Sequence, residues 1–163
     1  MTELVKRHAR GGLYYEEFYV GRVFQHGVRR TVTQMDNMQF CNMTLNPQPL
    51  HIDAHFCATE TPWGKPVVNS LFTLALMVGI SVYDLTMGTT IANLGMTHVR
   101  FHTPLFDGDT IHVETEIVGA RESKSHSDWG IVDFHHRAFN QEDKLVGECQ
   151  RQGMMLKAPQ ASV

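Results

Sequence analysis

Disulfide chemistry is the first thing this sequence does not supply. Its three cysteines, Cys41, Cys57 and Cys149, are odd in number and form no C-x-x-C pair. That argues against a disulfide framework or a zinc ribbon and for buried free thiols in a reducing compartment. A membrane-length apolar run is also missing. The most apolar stretch, PVVNSLFTLALMVGISVYDL, is interrupted by Asn69, Ser70, Thr73 and Ser81, and falls short of the roughly 20 largely apolar residues that a span requires. The opening MTELVKRHARGG holds no apolar segment of the kind a signal peptide carries. A cytoplasmic setting without a membrane partner is therefore expected. No basic block is present and the formal net charge is -3, so no nucleic-acid partner is expected. A local Arg or Lys remains able to meet a phosphate. No internal repeat is visible, and 163 residues suit one domain.

What is there changes character along the chain. Residues 1–19 read as an N-terminal arm, 20–157 as the domain, and 158–163 as a frayed tail. VGRVFQHGVRRTVT, residues 20–33, alternates and is rich in Val and Thr, which predicts a strand with a turn at His26-Gly27. Thr33 and Asp36 form a capping-box pattern ahead of a short helix through about Cys41. The two prolines of NPQPLHID exclude a regular helix, so a shaped loop leads into a second short helix, DAHFCATE. From Pro66 the apolar residues fall nearly all round a helix, which predicts one buried on most faces. Four runs bounded by turn chemistry then read as strands: 89–102, 110–123, 130–140 and 144–156. A helix apolar on all sides must be enclosed, and a curved antiparallel sheet is the economical way to do it. The expected fold is α+β. Its open sheet edge implies pairing with a second copy, at least a homodimer.

Several stretches together resemble one family. LNPQPLHIDAHF is similar to the D-x-N-P-[LIV]-H motif of MaoC-like proteins and R-specific enoyl-CoA hydratases. GKPVVNSLFTLAL sits where that family has its central helix, and VRFHTPLFDGDTIHVETEI, RESKS and GIVDFHHRAFNQEDKLVGE extend the match over about residues 20–157. The resemblance implies a hot-dog fold, with the sheet wrapped around a long central helix. It implies an acyl-CoA hydratase or dehydratase, with coenzyme A as part of the substrate and no separate cofactor. The NPQPLH form is most similar to the branch that holds mesaconyl-CoA hydratase (β-methylmalyl-CoA dehydratase) and itaconyl-CoA hydratase.

Adding water to a 2-enoyl thioester needs a base for the water at C3, an acid for C2, and donors for the enolate oxygen. His51 suits proton transfer near neutral pH, although the residues alone also allow it to cap the next helix. The family's Asp, five residues before His51, is Asn46 here, and its Asn, three before, is Gln48. An amide takes no proton at neutral pH but can hydrogen-bond water or a carbonyl. His51 acting as both base and acid, with Asn46 orienting the water, is the preferred reading. A carboxylate such as Asp53 or Asp36 entering the site, or binding without chemistry, are the other two. By resemblance Ser70 and Leu71 supply thioester-oxygen donors at the helix start. Gln48, Asn69 and Arg100 are expected as substrate or CoA contacts, with Arg100 equally able to be a structural arginine and Asn69 and Ser70 equally able to be helix caps. A second carboxylate on the acyl group would want a further cation, for which Arg30, Lys65 and Arg121 are candidates.

The remaining histidines are weighed against metal binding. His51 and His55 stand four apart, but no third ligand follows, so no metal is expected. His135 and His136 fall on opposite faces of a strand and cannot chelate together. His98, His102 and His112 read as strand-surface residues, and methionines such as Met43, Met77 and Met96 as core filler. A hot-dog thioesterase and a non-catalytic acyl-CoA-binding subunit are the rival functions.

Overall fold

The computed structural model describes residues 8–159. The first seven residues of the arm and the last four of the tail lie outside them. Two short strands, β1 (Val23–Gln25) and β2 (Arg30–Thr31), precede three helices, α1 (Gln34–Met43), α2 (Pro49–Ile52) and α3 (Ala54–Glu60). The long helix α4 (Ser70–Leu85) follows, then strands β3 (Thr90–Phe101), β4 (Thr110–Glu122), β5 (Trp129–Phe139) and β6 (Leu145–Leu156). The sheet order is β1-β4-β5-β6-β3, antiparallel throughout, with β2 also on β4. Helix α4 lies across β4, β5 and β6. This is the α+β hot-dog arrangement, and the four long strands fall within a residue or so of their expected bounds.

Local sequence accounts for most element ends. Thr33 and Asp36 make the reciprocal capping box of α1: the Asp36 amide donates to Thr33 Oγ1 (3.2 Å) and the Thr33 amide donates to Asp36 Oδ2 (2.9 Å). Asp53 caps α3 by accepting from the Phe56 amide at 2.9 Å. Pro49 opens the single turn of α2, where a missing N–H costs nothing, so the proline loop is partly helical rather than wholly irregular. Helix α4 starts at Ser70, not at Pro66. Val67 and Val68 are extended and give their amides to the carbonyls of Leu50 (3.0 Å) and Leu105 (2.8 Å). The segment expected as one strand over 20–33 is only two short pieces, because the chain leaves β4 between Gln25 and Arg30.

Two apolar clusters fill the inner side of the sheet. Met77, Ile80, Ile111, Val113, Ala138 and Val146 form one, and Leu13, Phe18, Leu85, Ile117, Phe134 and Met155 form the other. Each such buried side chain stabilises the fold by roughly 1.5–3 kcal/mol. Leu13 and Phe18 belong to the second cluster, so part of the expected arm is packed core. A Cβ at Gly130 would run into the Tyr15 ring, which shows how closely this segment docks on β5.

Between the clusters runs a polar row. Arg151 Nε donates to His136 Nε2 at 3.1 Å. An arginine can only donate, so His136 carries its proton on Nδ1 and gives it to Thr115 Oγ1 at 2.8 Å. The Thr115 hydroxyl then donates to His26 Nε2 (2.8 Å), and His26 Nδ1 donates to Asp84 Oδ2 on α4 (2.9 Å). Burial holds the His136 imidazole well below its usual pKa, with the Arg151 charge adding to the effect. His135, its neighbour, faces the other side, as the strand periodicity requires.

Helix α4 is not enclosed within one chain. Leu71 is 57% exposed and Tyr83 68%, and Ala75 and Gly79 share that open face. No helix among the described residues is long and apolar enough to cross a membrane.

Candidate active site

His51 lies in the one-turn helix α2, stiffened by Pro49 at its start. Asn46 and Gln48 shape the approach. Asn46 Oδ1 accepts from the Gln48 amide at 3.1 Å, and the Gln48 carbonyl accepts from the His51 amide at 3.0 Å. The Asn46 side chain and the Gln48 backbone shape the turn, and neither residue is in the lining of the cavity that holds His51. The imidazole Nδ1 lies 2.7 Å from the Val67 carbonyl oxygen. A carbonyl can only accept, so Nδ1 holds the proton and Nε2 is left with a lone pair.

That cavity encloses about 330 Å³, and its lining includes His51, Ser70, Thr73, Trp63, Phe101 and His102. Ser70 is the first residue of α4, so its amide has no intrahelical acceptor and stands at the positive end of the helix dipole. Leu71 does not share that role. Its amide donates to Asn69 Oδ1 at 2.9 Å and its side chain faces outward. Asn69 is buried as the N-cap and is absent from the lining. Of the two expected oxygen donors, then, only Ser70 reaches the cavity.

One residue with no sequence signal holds this arrangement together. Asn37 on α1 is fully buried. Its Nδ2 donates to the carbonyls of His51 (3.0 Å) and Val67 (3.2 Å), and its Oδ1 accepts from the Asn69 amide (2.8 Å). It thus ties the backbone of His51, the carbonyl that orients its ring, and the start of α4 into one unit. Only its place four residues before Cys41, on the same helix face, hinted at burial.

The expected cations are elsewhere. Arg100 is exposed on the edge strand β3 and is not in the lining; the next residues, Phe101 to Leu105, are. His98, where φ is +52°, sits in the register shift between Thr97 and Arg100 that interrupts β3 just before these residues. Arg30 is paired with Asp36 at 2.6 Å, and Lys65 sits over the Phe106 ring at 4.5 Å. Asp36 and Asp53 are both occupied as helix caps. His102 is exposed, as expected of a strand-surface residue, and it also lines the cavity. Among the described residues no three His, Cys, Asp or Glu side chains are placed to hold a metal.

A sheet wrapped on one helix, with a histidine-bearing cavity at that helix's N-terminus, defines a hot-dog domain of the hydratase-motif class. The chain belongs to the MaoC-like domain family, whose pattern it matches over residues 17–134. It is 28% identical over 146 residues to the beta-methylmalyl-CoA dehydratase of Chloroflexus aurantiacus, covering 90% of this chain and 41% of that protein. It is 27% identical over 151 residues to the mesaconyl-CoA hydratase of Cereibacter sphaeroides, covering 93% and 43%. The chain therefore spans less than half the length of these curated relatives. A solved structure, the monoamine oxidase regulatory protein from Archaeoglobus, superposes with a TM-score of 0.80 at 30% identity, over 91% of this chain and 97% of the other.

Proposed function

We propose that this domain is a hydro-lyase that reversibly adds water to a 2-enoyl-CoA, with His51 Nε2 as the base for the water. The observation that carries the reading is the Nδ1 hydrogen bond to Val67, which leaves Nε2 unprotonated on the wall of a cavity at the N-terminus of α4. The Ser70 amide is the donor for the thioester oxygen, where charge develops as water attacks C3. No cofactor is needed beyond the coenzyme A that the substrate carries. A branched dicarboxylic C5 acyl group, such as mesaconyl or itaconyl, is the finer proposal, supported by the names of the two curated relatives. The working form is a dimer formed along the β3 edge, in the cytoplasm.

The test is an absorbance assay of enoyl-CoA loss on a panel that includes crotonyl-CoA and mesaconyl-CoA, run beside a thiol assay. A fall in enoyl absorbance without thiol release is expected. Thiol release would instead mean a thioesterase, and calorimetric binding with neither signal a non-catalytic acyl-CoA-binding subunit. His51→Gln is expected to lose at least ~100-fold in turnover, the usual scale for a general acid or base.

A further inference from the structure

Hydration moves two protons at two atoms: one leaves the water that attacks C3, and one arrives at C2. The carboxylate that the family motif would supply is Asn46 here, and it is off the cavity wall. Of the residues that line the His51 cavity, only His51 and His102 titrate. His102 follows the end of β3 and is fixed by its amide, which donates to the Val146 carbonyl at 2.8 Å. Its Nε2 is 2.9 Å from Glu148 Oε1, and the other oxygen of Glu148 is 2.9 Å from His135 Nε2. These two bonds hold the Glu148 carboxyl below its ordinary range, so it is an ionised acceptor and His102 Nε2 is the donor. His102 Nδ1 is then the nitrogen available for exchange. The two histidines have opposite tautomers: His51 keeps its proton on Nδ1 and His102 on Nε2.

We infer that His102 is the second proton-transfer residue of this site, serving C2 while His51 serves the water, with Glu148 and His135 as its positioning residues. The inference rests on the hydro-lyase reading. In hydration, His51 Nε2 takes a proton from water and the water oxygen forms the bond to C3. The C=O π pair moves onto the thioester oxygen as the C2–C3 π pair becomes the C1–C2 π bond. The enolate then returns that pair to C2, which takes the Nδ1 proton of the His102 imidazolium. His51 ends protonated and His102 neutral, and one proton exchanged through solvent restores both. Dehydration runs the same steps backwards.

The charged groups around His102 are few. Glu148 comes from β6, with His135 of β5 bonded to its other oxygen, and His51 is the other titratable residue of the cavity lining. Arg100 and Arg137 are the register partners of Glu148 on either side, and the Arg137 guanidinium is taken up by Glu114 and Glu116. In hydration the basic limb of the pH–rate profile then reports loss of the His102 proton.

The test compares wild type, His51→Gln, His102→Gln and Glu148→Gln, each checked by thermal melting, for enoyl-CoA hydration across pH 5–9. His102→Gln is expected to lose at least ~100-fold in kcat, with KM within about threefold of wild type and the basic limb gone. Glu148→Gln is expected to lower kcat by less than His102→Gln does and to move that limb toward acid. If His102→Gln keeps its turnover and basic limb while His51→Gln is inactive, the role of His102 is overturned and the hydro-lyase reading stands. If His102→Gln loses turnover together with its melting temperature, and Glu148→Gln leaves the limb in place, His102 is structural and the inference fails. If wild type hydrates no enoyl-CoA, the hydro-lyase reading falls and this inference with it.

Discussion

Asn37 sits fourteen residues from His51 in the chain and reaches its carbonyl oxygen directly. Substituting Leu for Asn37 would leave the buried Asn69 amide without its partner and take one bond each from the His51 and Val67 carbonyls, which keep those from Gln34 Nε2 and His51 Nδ1. Each buried polar group left unpaired costs roughly 1–3 kcal/mol. Asn37→Leu is therefore expected to lower the urea midpoint by an amount equivalent to at least ~2 kcal/mol. It should also lower kcat, since the Val67 carbonyl is what fixes the His51 tautomer. Asn37→Asp should be worse than a loss of bonds alone, because it turns carboxylate oxygens toward two carbonyls. Equilibrium unfolding and steady-state kinetics on the same preparations check both.

At the scale of elements, the long helix depends on what happens at its two ends. Its N-terminus is capped by Asn69, and Asn69→Ala is expected to cost about 1 kcal/mol through loss of that cap. The same change frees the Leu71 amide beside the cavity. Near its C-terminus, Asp84 receives the last hydrogen bond of the row that begins at Arg151, so α4 is tied to β4, β5 and β6 by one directed chain. Arg151 is only 4% exposed. His136→Leu leaves its Nε and the Thr115 hydroxyl short of a partner and is expected to cost roughly 3 kcal/mol or more in urea unfolding.

His136 also sets a pH dependence. Its folded-state pKa is depressed from the ordinary 6.5 by burial. Below pH 6.5 the unfolded chain takes up a proton that the folded one refuses, so stability is full above that value and falls as the medium is acidified. Glu148, depressed from 4.5 by its two histidine bonds, adds a loss of the same sign at lower pH. Urea midpoints at pH 7.5 and 5.5 should differ for wild type, and the gap should shrink in His136→Leu.

For the whole molecule, the open surfaces are the issue. Strand β3 is an edge strand, and it exposes Ile91, Leu94, Val99 and Phe101. The uncovered face of α4 adds Leu71 and Tyr83. An unpaired edge and an apolar helix face on one chain are what a second copy would cover. Sedimentation is expected to give a dimer, and Leu94→Lys a monomer or a markedly weaker dimer. A wild-type monomer at micromolar concentration would count against the dimer.

Hydrophobic periodicity and turn chemistry made the four long strands, the capped helix α1 and the apolar run of α4 legible, because these depend on neighbours a few residues apart. Pro47, Pro49 and the short motif made His51 legible for the same reason. The enclosure of α4 was not legible: a helix apolar all round says that something covers it, not that the cover belongs to the same chain. Nor could spacing show that Leu71's amide is spent on Asn69, that His102 past the end of β3 rather than Arg100 lines the cavity, or that Asn37 holds His51 in place.

The sequence by itself determined the order of the long elements and the family, and it singled out His51 as a candidate histidine, since each is written in short-range pattern. Only the tertiary structure decided which nitrogen of that histidine is free and which residues share its cavity. Those depend on contacts between segments far apart in the chain, brought together by the sheet's register and the packing of one helix.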